Sequence, residues 1–149
     1  MLKSGLQEHI LKTRTIDGKI QVWDILRKKY VRLTPEENVR QTFINYLVEK
    51  KRYPAGLMMN EVPIELNGTA KRCDSVLFGK DMKPEMIMEY KAPTVAITQK
   101  TLEQIYRYNV VLKVRYLIIT NGVDCYCCKV DYESNKCLLM DHIPDYDEL

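Results

Sequence analysis

The chain has 149 residues, 46% of them hydrophobic and 29% charged, with a formal net charge of +3. That is enough for one domain with a single core, and no run of about 18 apolar residues exists to cross a membrane. The weak basic excess is not by itself a nucleic-acid signature, and Met1-Leu2-Lys3-Ser4-Gly5 lacks the apolar core of an export signal, so a cytoplasmic location is expected.

Residues 8–32 read as strands with turns. Asp17-Gly18, a strong hairpin dipeptide, divides two short runs, one of them Ile20-Gln21-Val22-Trp23. Tyr30-Val31-Arg32-Leu33 is a further short strand. Thr34-Pro35-Glu36-Glu37 then opens a helix, with Thr34 as N-cap, Pro35 at the first helical position and Glu37 completing a capping box. Val39, Phe43, Tyr46 and Leu47 give it an apolar stripe, and it ends near Lys51. Three strands follow, at 62–66, 71–78 and 85–91, joined by a turn at Asn67-Gly68 and another at 79–84. A second helix covers roughly 98–112. Val114 to Thr120 is a nearly continuous apolar run, as expected of a central strand, and Asn121-Gly122 turns it into an antiparallel partner at 125–130. A last strand near 137–140 precedes the acids Asp141, Asp145, Asp147 and Glu148.

The order is helix, three strands, helix, two strands, and neither a repeat nor a low-complexity linker interrupts it. The economical reading is one α/β domain over 1–149: an N-terminal strand extension (1–33), a core (34–130), and a final strand with an acidic tail (131–149). Lysine and arginine crowd the first third, which suits a polyanion approaching one side. The five cysteines, Cys73, Cys125, Cys127, Cys128 and Cys137, have no framework spacing and fit reduced thiols. Cys125-x-Cys127-Cys128 is too cramped for a zinc knuckle.

The chemistry centres on Asp74, fifteen residues before Glu89-Tyr90-Lys91. Side chains two apart on a strand share a face, so Glu89 and Lys91 point one way while Met88 and Tyr90 point the other. The turn at 79–84 folds Asp74 back beside them. Two carboxylates about 4 Å apart repel by about 4 kcal/mol at an effective dielectric near 20. A magnesium or manganese ion reverses that sign, and carboxylate oxygens suit such hard ions. A lysine beside the ion can polarise a water or neutralise charge on a phosphate. A surface ion pair on an exposed sheet face is the plainer alternative.

On the second helix, Gln104 and Tyr108 lie at i and i+4, one face, placed to hold the lysine or a substrate phosphate. On the first helix, Glu36 falls in line with Val39, Phe43 and Leu47, where a carboxylate is costly unless paired or metal-bound. Glu36 is therefore favoured over Glu37 as an extra acid facing the site, with Arg40 one turn on to pair with Glu36 or touch phosphate. The only histidines, His9 and His142, lie near the ends, and no serine or cysteine carries a nucleophile motif.

Together these elements resemble the PD-(D/E)xK nuclease superfamily. More closely, Arg32-Leu33-Thr34-Pro35-Glu36-Glu37 with Val39-Arg40-Gln41, then Lys71-Arg72-Cys73-Asp74, Glu89-Tyr90-Lys91-Ala92-Pro93 and Thr120-Asn121-Gly122, look like the N-terminal nuclease domain of type I restriction enzyme R subunits. The resemblance implies a restriction-endonuclease-like mixed sheet flanked by helices, and metal-dependent cleavage of DNA phosphodiesters. By it, Asp74 and Glu89 bind Mg²⁺ or Mn²⁺ with the Tyr90 main-chain carbonyl, Glu36 adding an acid. Lys91 positions or activates the attacking water, and Gln104 and Tyr108 support lysine or substrate. Arg40 and Arg72 are the candidate substrate contacts.

Cys73 stands where the superfamily's name has proline, at a position that varies. No Walker-type Gly-x-x-x-x-Gly-Lys-[Ser/Thr] string occurs, so a translocating motor is not expected in this chain. It reads as a free-standing relative or a piece of something longer, with a motor or specificity subunit supplied in trans. A homodimer lining one duplex is a further arrangement. The rival reading is a nucleic-acid-binding or partner-binding module that keeps the fold but does not cut.

Overall fold

The computed structural model describes residues 10–149 and the backbone of Leu2 and Lys3. His9 and the start of the expected strand region at 8–9 lie outside the described residues. Strand β1 (Leu2–Lys3) precedes a three-stranded antiparallel meander of β2 (Thr13–Ile16), β3 (Lys19–Asp24) and β4 (Lys29–Arg32). Helix α1 (Pro35–Lys50) leads to β5 (Met58–Leu66), β6 (Thr69–Phe78) and β7 (Pro84–Tyr90). Helix α2 (Gln99–Leu112) is followed by β8 (Tyr116–Thr120), β9 (Asp124–Asp131) and β10 (Lys136–Leu139). The hairpins turn as their dipeptides require: Asp17 and Gly18, and Asn67 and Gly68, all have positive φ.

The main sheet runs β1-β9-β8-β7-β6-β5, with β10 also pairing β9. Its one parallel pair, β7 with β8, is joined through α2, as a parallel connection demands a crossover. β8 is buried at every position, which accounts for its uninterrupted apolar run. The result is a mixed α/β fold with a helix on each sheet face. Phe43, Ile44 and Leu47 of α1 pack on Met86, Met88, Tyr90 and Ile118. Ile105 and Tyr108 of α2 pack on Ile87, Leu117, Ile119 and Val76. Strand alternation at 86–90 thus sorts its side chains between the two helices. Among the described residues, no helix is long and apolar enough to cross a membrane.

Three local features differ from the sequence expectation. β5 begins at Met58, four residues before the expected start at 62. The Thr34 hydroxyl does accept the Glu37 N–H at 3.0 Å, but Glu37 does not close a capping box. Its carboxylate turns inward to Arg40 and Arg27. The acidic tail folds back on the basic end of α1: Lys51 pairs with Asp145 at 3.3 Å, Arg52 with Asp147 at 3.4 Å, and the Tyr53 hydroxyl donates to the Pro144 carbonyl. These tail acids and helix-end cations therefore answer each other, which lowers the net positive charge around Lys51 and Arg52 on the side expected to meet a polyanion.

Candidate functional site

β6 and β7 pair, past a register shift between Leu77 and Phe78, as far as Ser75 opposite Met88. At the next step side chains replace the backbone ladder. The Asp74 carboxylate accepts the Tyr90 N–H at 2.9 Å, and the Glu89 carboxylate accepts the Asp74 N–H at 3.3 Å. Each acid is thus pinned to the other's strand.

On the far side, β5 and β6 change face at the same level. Asn60 and Ser75 reach the α1 side, where Ser75 Oγ donates to Asn60 at 2.5 Å and accepts from the Tyr90 hydroxyl at 3.0 Å. Val62 and Cys73, two residues along, lie on the α2 side. Regular strands would keep residues two apart on one face. Glu61, between them, has φ of +57°, a left-handed backbone that is uncommon outside glycine and asparagine. Asp74 sits opposite this irregularity.

Glu89 is 9% exposed. Its carboxyl is pushed well above the ordinary value of 4.5, first by burial and then by the charge and hydrogen bonding of Asp74, with the Asp74 N–H and Lys91 opposing. Burial first, and then the charges of Glu89 and Asp74, push the Cys73 thiol up to about 12. Lys91 continues the strand, its N–H donating to the Thr120 carbonyl at 2.9 Å. Asn121 fixes the segment that follows by donating to the Val95 carbonyl at 2.9 Å. Glu89, Lys91, Thr101, Gln104, Ile105, Tyr108 and Ile119 line a recess of about 10 Å³, room for roughly one water. Gln104 donates to the Tyr108 hydroxyl at 3.4 Å. A roomier groove of about 580 Å³ lies between α2, β8, β9 and β10 and is lined by none of Asp74, Glu89 or Lys91.

Asp74, Glu89, Lys91, Gln104 and Tyr108 are thus neighbours, as their spacing led one to expect. The residues from α1 fall otherwise. Glu36 is exposed, and Glu37 is the buried acid. Burial of Glu37 is compensated by Arg27 at 2.9 Å and by a two-pronged pair with Arg40 at 2.6 and 2.8 Å. Arg40 itself is 8% exposed and also reaches Glu61 at 2.8 Å and the Asp74 main-chain carbonyl at 3.0 Å. Its guanidinium is committed to the protein, a brace behind Asp74 in place of the expected Glu36 partner or phosphate contact. Arg72 is exposed on β6 opposite Pro63 and does not line the recess.

Sequence reasoning missed Glu61, Thr101 and the bracing role of Arg40. Nothing in Asn60-Glu61 announces a left-handed residue. Thr101 was hidden behind its part in the α2 cap, where it pairs with Thr98. Among the described residues, no group of three His, Cys, Asp or Glu side chains is arranged to hold a metal. The two carboxylates are the acidic donors present.

Residues 35–144 match the family model described as type I restriction enzyme R protein N terminus. The chain belongs to this family. The likeness drawn from the Asp74 and Glu89-Tyr90-Lys91 strings to R-subunit N termini therefore holds at the family level. Among solved structures, the chain is similar to a fragment described as an HsdR subunit of a type I restriction enzyme from Vibrio vulnificus YJ016, with a TM-score of 0.56 and 19% identity. That likeness is one of fold. It covers 78% of this chain and 24% of the other, so the chain spans about a quarter of its structural relative. No curated protein matches.

Proposed function

We propose that this chain is the cutting module of a restriction-type system, hydrolysing DNA phosphodiesters with a divalent metal at a PD-(D/E)xK-type site. The observation that carries the reading is the exchange between Asp74 and Glu89 at the parted end of β6 and β7, with Lys91 on the same face as Glu89. A buried carboxyl crowded by a second one favours the arrival of a cation. Two oxygen acids fit Mg²⁺ or Mn²⁺ better than the softer metals that prefer thiolate or imidazole.

Asp74, Glu89 and the Tyr90 carbonyl would hold the ion. Bound there, such an ion would neutralise the acids and supply Lewis acidity toward a phosphoryl oxygen and the attacking water. The protein's own groups do the positioning. Lys91 presents its ammonium beside Glu89, where it orients the attacking water or neutralises charge growing on phosphate. Gln104 and Tyr108, bonded to each other beside the recess, would offer hydrogen bonds to Lys91 or to substrate. Arg40, fastened to Glu37 and Glu61, holds the Asp74 backbone in register. Translocation and sequence choice would fall to other subunits.

A second reading, a DNA- or partner-binding module without cleavage, draws on one observation: Glu37 is held by two arginines, which leaves two acids for a metal. The two are separated by incubating supercoiled plasmid with the protein and Mg²⁺ or Mn²⁺. Nicked or linear product with wild type, lost in chelator and in Asp74→Ala, supports hydrolysis. Intact plasmid with both ions, or equal cutting by the variant, supports the binding module.

A further inference from the structure

The meander carries a second feature, away from the acids. In its register, Lys12, Arg14 and Ile16 on β2 and the residue before it share a face with Lys19, Gln21 and Trp23 on β3 and Tyr30 and Arg32 on β4. The opposite face holds the fully buried Val22 and Asp24 and is the one turned to the protein. The outward face therefore presents four cations, Lys12, Arg14, Lys19 and Arg32, all exposed, and no acid. None of the four forms an ion pair among the described residues, unlike Arg27, Arg40, Lys51 and Arg52.

Two of these cations are held in place. Trp23 and Tyr30 meet edge to face at 5.1 Å. The Lys12 ammonium lies 4.9 Å from the Trp23 ring centre, and the Arg14 guanidinium lies 3.9 Å above Tyr30 while donating to Gln21 at 2.7 Å. The rings contact these cations without neutralising them, so the face keeps its positive charge. Four exposed cations with no acid among them suit a polyanion, and the phosphate backbone of a nucleic acid is one.

The meander is also tied to the acid site. Asp24 accepts from Asn60 at 3.0 Å and from Arg27, and Arg27 reaches Glu37 at 2.9 Å. Asn60 leads through Ser75 to Tyr90, and Glu37 leads through Arg40 to the Asp74 backbone. A strand bound on the meander would stand in a fixed relation to β6 and β7.

We infer that the outward face of the β2–β4 meander is a contact surface for the phosphate backbone of DNA. The ring faces are covered by cations, so this contact is electrostatic and does not read sequence. The inference builds on DNA as the substrate but names a separate surface, and it is read without metal. Its failure would leave the cleavage reading standing, and a failure to cleave would leave this one standing.

The test is fluorescence anisotropy with a labelled oligonucleotide, single-stranded and duplex, in chelator over a salt series. Four phosphate contacts give a slope of log affinity against log salt of about −2.8 for a single strand and about −3.6 for duplex. Arg14→Gln with Arg32→Gln should halve that slope and weaken binding at low salt by tenfold or more. Lys19→Gln with Arg32→Gln touches neither ring and should do the same if the first pair disturbs folding. Lys51→Gln with Arg52→Gln, on the tail-paired cations, should change neither quantity. No binding by wild type, unchanged slopes in both meander variants, or equally tight binding of poly-glutamate would overturn the inference.

Discussion

Replacing Glu89 by glutamine should stabilise the metal-free protein. The substitution removes one of two crowded charges, while Oε1 can still accept the Asp74 N–H. Like charges about 4 Å apart at an effective dielectric near 20 repel by about 4 kcal/mol. Lys91 already offsets part of this, and the glutamine amide has its own desolvation cost. A net gain of about 1–2 kcal/mol remains, or roughly 2–8 °C in Tm for a domain of this size.

The gain should depend on pH. Burial and Asp74 raise the Glu89 carboxyl in the folded state above its ordinary 4.5. Between the unfolded and folded values the native protein holds more protons than the unfolded chain, so stability falls as pH rises through that window and levels off above it. The variant should therefore exceed wild type at about pH 8 and match it near pH 4. Thermal melts by circular dichroism in chelator read this directly. Lower Tm at every pH for both Glu89→Gln and Asp74→Asn would mean that the two acids form a structural pair, and the crowding argument would fail.

Lys91→Ala should abolish plasmid nicking while leaving Mn²⁺ affinity by calorimetry nearly intact, and equal nicking by variant and wild type would refute its role. Arg40→Met leaves buried Glu37 without its two-pronged partner and should cost about 3–5 kcal/mol in urea unfolding. A loss under about 1 kcal/mol would show that Arg27 alone compensates Glu37. Gly122→Ala places a methyl group 3.3 Å from Val39 at φ of +86° and should lower stability by about 1–2 kcal/mol, read as a fall in Tm.

The parts legible in the sequence were those set by local chemistry. Asp17-Gly18 and Asn67-Gly68 specify their turns, Thr34-Pro35 starts α1, and alternation through Met88-Glu89-Tyr90-Lys91 sorts side chains between two helices. The juxtaposition of Asp74 with Glu89 followed from one short turn. What escaped depended on partners far along the chain. A helical wheel sets Glu36 in line with the apolar stripe, but Arg27 and Arg40 bring in Glu37. The same two arginines draw its carboxylate away from the capping box. Likewise, the positive φ at Glu61, where β5 and β6 change face, arises from sheet geometry and has no glycine or asparagine to signal it. The pairing of tail acids with Lys51 and Arg52 joins segments more than 90 residues apart, so charge distribution alone left these cations available.

The central claim is that Asp74 and Glu89 share one divalent ion. Diffraction from a crystal soaked in Mn²⁺, recorded for the anomalous signal, tests it most directly. The account predicts one strong peak between the two carboxylates, within coordination distance of the Tyr90 carbonyl, and no peak there in Asp74→Ala. Manganese bound only elsewhere, or an unliganded Asp74–Glu89 pair at saturating Mn²⁺, would contradict it.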